Sequence, residues 1–230
     1  MSGEPLKLLS SMATRELLGE LVAAYQRDSG AAVSTEAAGG VDVANRVQGG
    51  EAVDVVVLSA QAIDKLIAAG RIVAGSRVDL VKSGIAAAVR AGAPRPDIAS
   101  EAALRRAVQR AQSLSYSSGP SGVHLEKVFE HWGILGEVRP RIVVPPPGTP
   151  VATLVAKGQV ELGFQQLAEL RNVPGIDILG MLPPPAQTIT TFSGGVASAS
   201  RDPEAARRLL DYLAAPATAE AKRRHGMDPA

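Results

Sequence analysis

The 230-residue chain has no cysteine. Disulfides, thiolate nucleophiles, iron–sulfur clusters and cysteine-ligated zinc are therefore excluded. Aromatic residues are scarce, with one Trp, three Tyr and three Phe, so any core is built mainly of Ala, Val, Leu and Ile. An excess of charge is missing too. The 24 Lys and Arg face 23 Asp and Glu, for a net charge of +1, which argues against a nucleic-acid binder, where a clear basic excess is usual. Low net charge with 46% hydrophobic residues argues against disorder. No apolar run approaches the ~20 residues of a membrane-spanning helix. The opening Met1-Ser2-Gly3-Glu4-Pro5-Leu6-Lys7 has no basic segment followed by an apolar one, unlike a secretory signal peptide. The expectation is a cytoplasmic protein, or a periplasmic one if a leader has been removed.

Catalytic and cofactor signatures are also thin. There is no Gly-x-Ser-x-Gly elbow, no His-Glu-x-x-His and no P-loop, and Gly39-Gly40 lacks the rest of a dinucleotide pattern. No cofactor is expected. The histidines are His124, His131 and His225. The first two are seven residues apart on one predicted helix, roughly 10 Å, too far to share a metal, and no metal site is expected. His131 and His225 read as exposed side chains. His124 sits just after Ser121-Gly122, close to anything bound there, and is the candidate general base. The basic clusters at Arg105, Arg106 and Arg110, at Arg207 and Arg208, and at Lys222 to Arg224 read as solvated helix faces. Arg15 differs: one turn after Ser11, it could reach a carboxylate.

What is present is an alternation of strand and helix. Leu6 to Leu9 reads as a strand, and Leu17, Leu18, Leu21, Val22 and Tyr25 recur at helical spacing, stopped by Gly30. Ala32 to Glu36 is a second strand, Val41 to Val47 a helix. Val53 to Leu58 is the apolar run of a strand buried on both faces, with a helix through Ile67 behind it. Three such units in about 70 residues predict a parallel sheet. Further on, Ile85–Val89, Leu114–Tyr116, Ile142–Val144 and Val160–Phe164 read as strands. Helices are predicted from the Ser100 cap to Ala111, from Val123 to about Trp132, and from a Thr149 cap to Lys157. Ile176–Leu179, Ile189–Phe192 and Val196–Ala199 read as extended, and Pro183-Pro184-Pro185 as a stiff linker. Helices from Pro203 to Leu213 and from Thr218 to His225 end the chain.

One feature repeats. Strands end in small hydroxyl or glycine residues just before a helix: Ser10-Ser11, Gly39-Gly40, Ser59, the turn Ser117-Ser118-Gly119-Pro120-Ser121-Gly122, and Gly148-Thr149. In a parallel sheet these turns lie at the strand carboxyl ends, where ligands bind, and each following helix aims its free N–H groups there. Any one such turn is an ordinary cap. Five in one α/β chain point modestly to a neutral, donor-rich nest for an anion.

The order of these motifs resembles the molybdate-binding-protein-like branch of the type II periplasmic binding proteins. Ser10-Ser11-Met12-Ala13, then Gly39-Gly40-Val41, then Val53 to Ala60 resemble its first domain. Ser83 to Pro94 with Pro96-Asp97-Ile98 is similar to the entry into its second domain. Leu114–Val123 and Val160–Gln166 resemble the second-domain ligand loops, and Ala205–Gly226 the closing helices. The resemblance covers nearly the whole chain. It implies two three-layer α/β lobes, residues 1–80 with 187–230 and residues 81–186, that close on a ligand in a central cleft. It implies ligand contacts from Ser11, Gly40 and Ser59 in one lobe and from Ser121, Gly148, Thr149 and Gln166 in the other; Ser10, Gly39, Ser118 and Gly122 flank them in the same turns. The molybdate members have a hydroxyl-rich turn in place of Gly39-Gly40 and a Tyr in place of Gln166. Some relatives resemble aconitate isomerases. The chain is thus expected to bind a small anion, oxyanion or carboxylate, and to partner an ABC permease only if exported. The alternative is a cytoplasmic isomerase of an unsaturated carboxylate, with His124 as base and Arg15 as carboxylate clamp.

Overall fold

The apolar run from Val53 to Leu58 supplies a central strand in the computed structural model, which describes residues 4–145 and 149–230. Along the chain the elements are β1 (Leu6–Ser11), α1 (Arg15–Ser29), β2 (Val33–Ala38), α2 (Gly40–Gln48), β3 (Val55–Ser59), α3 (Ala60–Ala68), β4 (Val78–Arg90), α4 (Glu101–Arg110), β5 (Leu114–Tyr116), α5 (Pro120–His131), α6 (Leu135–Val138), α7 (Val151–Ala156), β6 (Leu162–Gln166), α8 (Leu167–Leu170), β7 (Ile176–Met181), β8 (Ile189–Val196), α9 (Pro203–Ala214), α10 (Ala219–Arg224) and β9 (Asp228–Pro229). They form two units, Met1–Lys82 with Thr191–Ala230, and Ser83–Thr190.

In the first unit the sheet order is β2-β1-β3-β8, with β1, β2 and β3 parallel and β8 antiparallel to β3. Val55 to Leu58 are buried because β3 is central and covered on both faces. One face packs Leu9, Val56 and Leu58 against Val43 and Val47 of α2 and Ile63 and Leu66 of α3. α1 buries Leu17, Leu18, Leu21, Val22 and Tyr25 as one stripe and ends at Gly30, whose φ of 72° suits glycine. α9 is capped by Asp202, which accepts from the Ala205 N–H at 2.9 Å, and it packs close to β8. A Cβ on Gly194 would stand 2.3 Å from Leu210 Cδ2, so glycine is needed there for that close approach.

In the second unit β4 runs antiparallel to β6 and β7, and β5 runs parallel to β6. Its core concentrates the few aromatics. Phe129 is fully buried, with Trp132, Tyr116 and Phe164 at centroid distances of 5.8, 6.2 and 6.4 Å. Tilted and edge contacts of this kind add to simple area burial. Ser100 caps α4 by accepting from the Ala103 N–H at 3.2 Å.

Several element boundaries differ from the sequence expectation. β1 continues through Ser10 and Ser11, which pair with Ala37 and Ala38 of β2, so the two serines end a strand rather than form a turn. β4 is 13 residues long, far beyond Ile85–Val89, because it pairs first with β9 and then with β6 and β7. Ile142–Val144 makes only a single bridge, Ile142 to Leu114. α5 starts at Pro120, whose fixed φ suits the first helical position, so Ser121 and Gly122 lie inside the helix. β6 is displaced toward the C-terminus and ends on Gln166. The two segments at 189–192 and 196–199 give one strand that stops at Val196. The Pro183-Pro184-Pro185 stretch is a tight turn, not a linker, closed by the Ala186 N–H donating to the Pro183 carbonyl at 2.9 Å. α7 has Pro150, not Thr149, at its N-cap.

Candidate functional site

In the first unit the parallel arrangement brings three strand ends together. The register sets Ser11 opposite Ala38, just before Gly39-Gly40, and Ser10 opposite Val57, two residues before Ser59. Ser11 opens the 3-10 turn that leads into α1, Gly39 caps α2 and Ser59 caps α3, and none of the three makes a side-chain capping bond. α2 makes its first backbone bond from the Val43 N–H to the Gly39 carbonyl at 2.9 Å. The amides of Gly40, Val41 and Asp42 thus have no intrahelical acceptor, and the helix dipole leaves partial positive charge there. Ser11 is 6% exposed, and its Oγ is the one buried side-chain nitrogen or oxygen among the described residues that has no hydrogen-bond partner. A buried hydroxyl in that state carries a desolvation cost. Gly40 lies beside it: a Cβ on Gly40 would be 3.8 Å from Ser11 Cβ and 3.9 Å from Leu58 Cδ2. Those are ordinary contacts, so packing does not demand the glycine.

Ser10 and Arg15 are not part of this cluster. Successive strand residues face opposite sides of a sheet, so Ser10 is directed away from Ser11. It lines a surface groove with Arg15, Glu16, Thr35 and Glu36, and Ser11 is not among the residues of that groove. The Arg15 guanidinium bonds the neighbouring Glu16 carboxylate at 2.6 and 2.9 Å and is well exposed. The expected clamp thus rests in an exposed pair with its chain neighbour, a contact worth little in water.

In the second unit the ends of β5 and β6 are neighbours, with Tyr116 opposite Phe164. Here the polar side chains already have partners. Ser121 is buried and its Oγ lies 3.3 Å from Ser117 Oγ, whereas Ser118 is exposed in the turn. A Cβ on Gly122 would stand 1.7 Å from the Ser117 carbonyl oxygen, so this glycine answers to packing of α5 on its own approach turn. Gln166 is 3% exposed. With its amide oxygen accepting from the Thr190 hydroxyl at 3.0 Å, its nitrogen donates to Ser83 Oγ at 3.0 Å and the Ser83 carbonyl at 3.2 Å. His124 Nε2 stands 3.0 Å from the Ala186 carbonyl oxygen. A carbonyl only accepts, so Nε2 carries the proton, and any base role falls to Nδ1. Burial, then the hydrogen bond to Glu126, pushes the Tyr116 hydroxyl above its usual range. Thr149 is half-buried, and Gly148 lies outside the described residues.

Two residues that sequence reasoning passed over organise this end. Gln165 Oε1 accepts from the Ala152 N–H of α7 at 3.1 Å, the cap that Thr149 was expected to supply. Gln187 bonds both the N–H and the carbonyl of Ile85, at 2.8 and 2.9 Å, as a paired strand residue would. Nothing local marks either role, since both depend on partners 13 and 102 residues away. Among the described residues no three His, Asp or Glu side chains gather to hold a metal ion, and no helix is long and apolar enough to cross a membrane.

Comparison with known proteins bears on the family and the fold. Residues 6–228 match the family described as bacterial extracellular solute-binding protein. An aconitate isomerase from a Pseudomonas species is 39% identical over 240 residues, covering 100% of this chain and 90% of that protein. Among solved structures, the periplasmic molybdate-binding protein of Azotobacter vinelandii superposes with a TM-score of 0.81 at 18% identity, covering 96% of this chain and 98% of that one. The sulfate-binding protein SubI of Mycobacterium tuberculosis gives a TM-score of 0.78 at 14% identity, with coverages of 99% and 87%. These likenesses show the fold, the α/β type II periplasmic-binding-protein fold that the sequence predicts.

Proposed function

The chain belongs to the bacterial extracellular solute-binding protein family, and from that premise we propose that it binds a small anion, oxyanion or carboxylate, at its strand-end turns. One observation carries the reading: the buried Ser11 hydroxyl without a partner, beside Gly40 and the free amides that open α2. A ligand oxygen there would supply the acceptor that Ser11 lacks and would meet the positive end of a helix. That structural neighbours are named for molybdate and sulfate supports the same class of ligand. In the second unit Thr149, Ser118 and Ser121 remain candidate contacts, and Gln166 more weakly, since its amide is already engaged. An ABC permease partner and a periplasmic location go with an exported form, in keeping with a family described as extracellular.

A second reading is favoured by the full-length similarity to an aconitate isomerase. On this reading the ligand is an unsaturated tricarboxylate, and the reaction takes a proton from one carbon and returns one to another. His124 would act through Nδ1, its Nε2 being held by Ala186.

A thermal-shift panel with molybdate, tungstate, sulfate, phosphate, citrate, cis-aconitate and trans-aconitate tests both readings. A ligand at 100 times its dissociation constant stabilises by about 2.7 kcal/mol. No shift with any of them would overturn anion binding. Proton NMR of each aconitate isomer with the protein then reads turnover. On the isomerase reading, His124→Asn keeps binding and stops interconversion, and full activity in that variant would remove His124 from the mechanism.

A further inference from the structure

The groove lined by Ser10 lies between α1 and the strands β1 and β2, on the side of β1 away from Ser11. Its volume is about 420 Å³, which is in the range of small-molecule sites. Two of its residues have no structural reason to be as they are. Gly19 stands in the interior of α1 and lines the groove. Glycine destabilises a helix interior relative to alanine, and packing does not ask for it here, since nothing lies within 4 Å of where its Cβ would stand. The missing side chain keeps that space open. Ser10 is only 2% exposed, and it lines the same groove. Among the described residues its hydroxyl has no hydrogen-bond partner.

The charged residues of the groove set the class of ligand. Three carboxylates, Glu16, Glu20 and Glu36, face one guanidinium, Arg15. Both oxygens of Glu20 are engaged, by Arg224 and His225. Glu16 and Glu36 are engaged at one oxygen each. Arg15 bonds only Oε1 of Glu16, and Arg46 only Oε1 of Glu36. Their Oε2 atoms make no hydrogen bond among the described residues. Arg46, Arg224 and His225 are not residues of the groove itself. The groove therefore offers mainly acceptors, with carboxylates outnumbering the cation. A carboxylate or an inorganic oxyanion would be repelled there. A primary ammonium carries three N–H donors and no acceptor. It can meet carboxylate and hydroxyl oxygens together while its alkyl chain fills the space that Gly19 leaves. We propose that this groove is a second ligand site, specific for an alkylammonium ion. The proposal does not depend on the anion-binding reading, which concerns the other face of the sheet.

Amide NMR titration at low ionic strength tests it, read at Gly19 and Thr35, which both line the groove. The probes are three five-carbon compounds: the diamine cadaverine, the uncharged pentanediol and the dianion glutarate. Cadaverine is expected to shift both amides and to bind about tenfold or more tightly than pentanediol, and glutarate to leave them unmoved. The double variant Glu16→Gln/Glu36→Gln should weaken cadaverine about fivefold or more. Gly19→Met adds a helix-favouring side chain and removes no contact. It should melt no lower than the wild type and lose the cadaverine response. Amides that stay still with cadaverine would overturn the proposal. So would pentanediol binding as tightly as cadaverine, or a folded Gly19→Met variant that binds within about twofold of the wild type.

Discussion

The strand ends of the two units use similar residues in opposite ways. In the first unit the helix-opening residues Ser11, Gly39 and Ser59 make no side-chain capping bonds, and Ser11 Oγ is buried without a partner. In the second, Ser117 and Ser121 meet each other, Gln166 is tied to Ser83 and Thr190, and His124 is tied to Ala186. The same hydroxyl and amide chemistry is held open at one end and satisfied internally at the other. The difference teaches that a donor-rich turn becomes a candidate site only where the fold withholds partners from it.

Gly122→Ala should have the largest effect. Its methyl would overlap the Ser117 carbonyl, a backbone atom 1.7 Å away, and overpacking of this kind costs about 3 kcal/mol. Denaturant unfolding would measure it. A variant as stable as the wild type would show that the second unit's turn is less rigid than its packing indicates. Next comes Gln166→Ala, which removes the bonds to Thr190 and Ser83 and is expected to cost about 2 kcal/mol in the same measurement. If it weakens ligand binding without loss of stability, the second unit also holds donors ready, and the contrast between the ends collapses. The smallest stability effect belongs to Ser11→Ala. A hydroxyl that lacks a partner contributes nothing when removed, so the change should lie within about 1 kcal/mol and toward greater stability, while anion affinity falls. A large destabilisation would mean that Ser11 is a structural residue.

Much of the framework was legible because its causes are local. Leu17, Leu18, Leu21, Val22 and Tyr25 mark the buried stripe of α1 by spacing alone. Ser100 and Asp202 mark helix starts because their oxygens reach N–H groups three residues ahead. The apolar run that became β3 announced a strand covered on both faces. The candidate site was legible only in part. Ser11, Gly40 and Ser59 read as strand-end residues and lie at strand ends, but Ser10 looked equivalent to Ser11. Arg15 was read as a carboxylate clamp, and nothing in the sequence marked its exposed pair with Glu16. The triple proline read as a linker, although it closes a turn that offers the Ala186 carbonyl to His124.

What the sequence by itself determined is the succession of strands and helices and the placing of small polar residues between them. Periodicity, caps and turn residues act over a few positions and need no distant partner. Only the tertiary structure decided which of those polar groups stay free. The faces of β1 separate Ser10 from Ser11 once β2 and β3 pair on either side. The partners of Gln165 and Gln166 come from α7, α8, β4 and β8. Hydrogen bonding is satisfied by whichever group folding brings within about 3 Å, and that is a property of three-dimensional neighbours rather than of sequence neighbours.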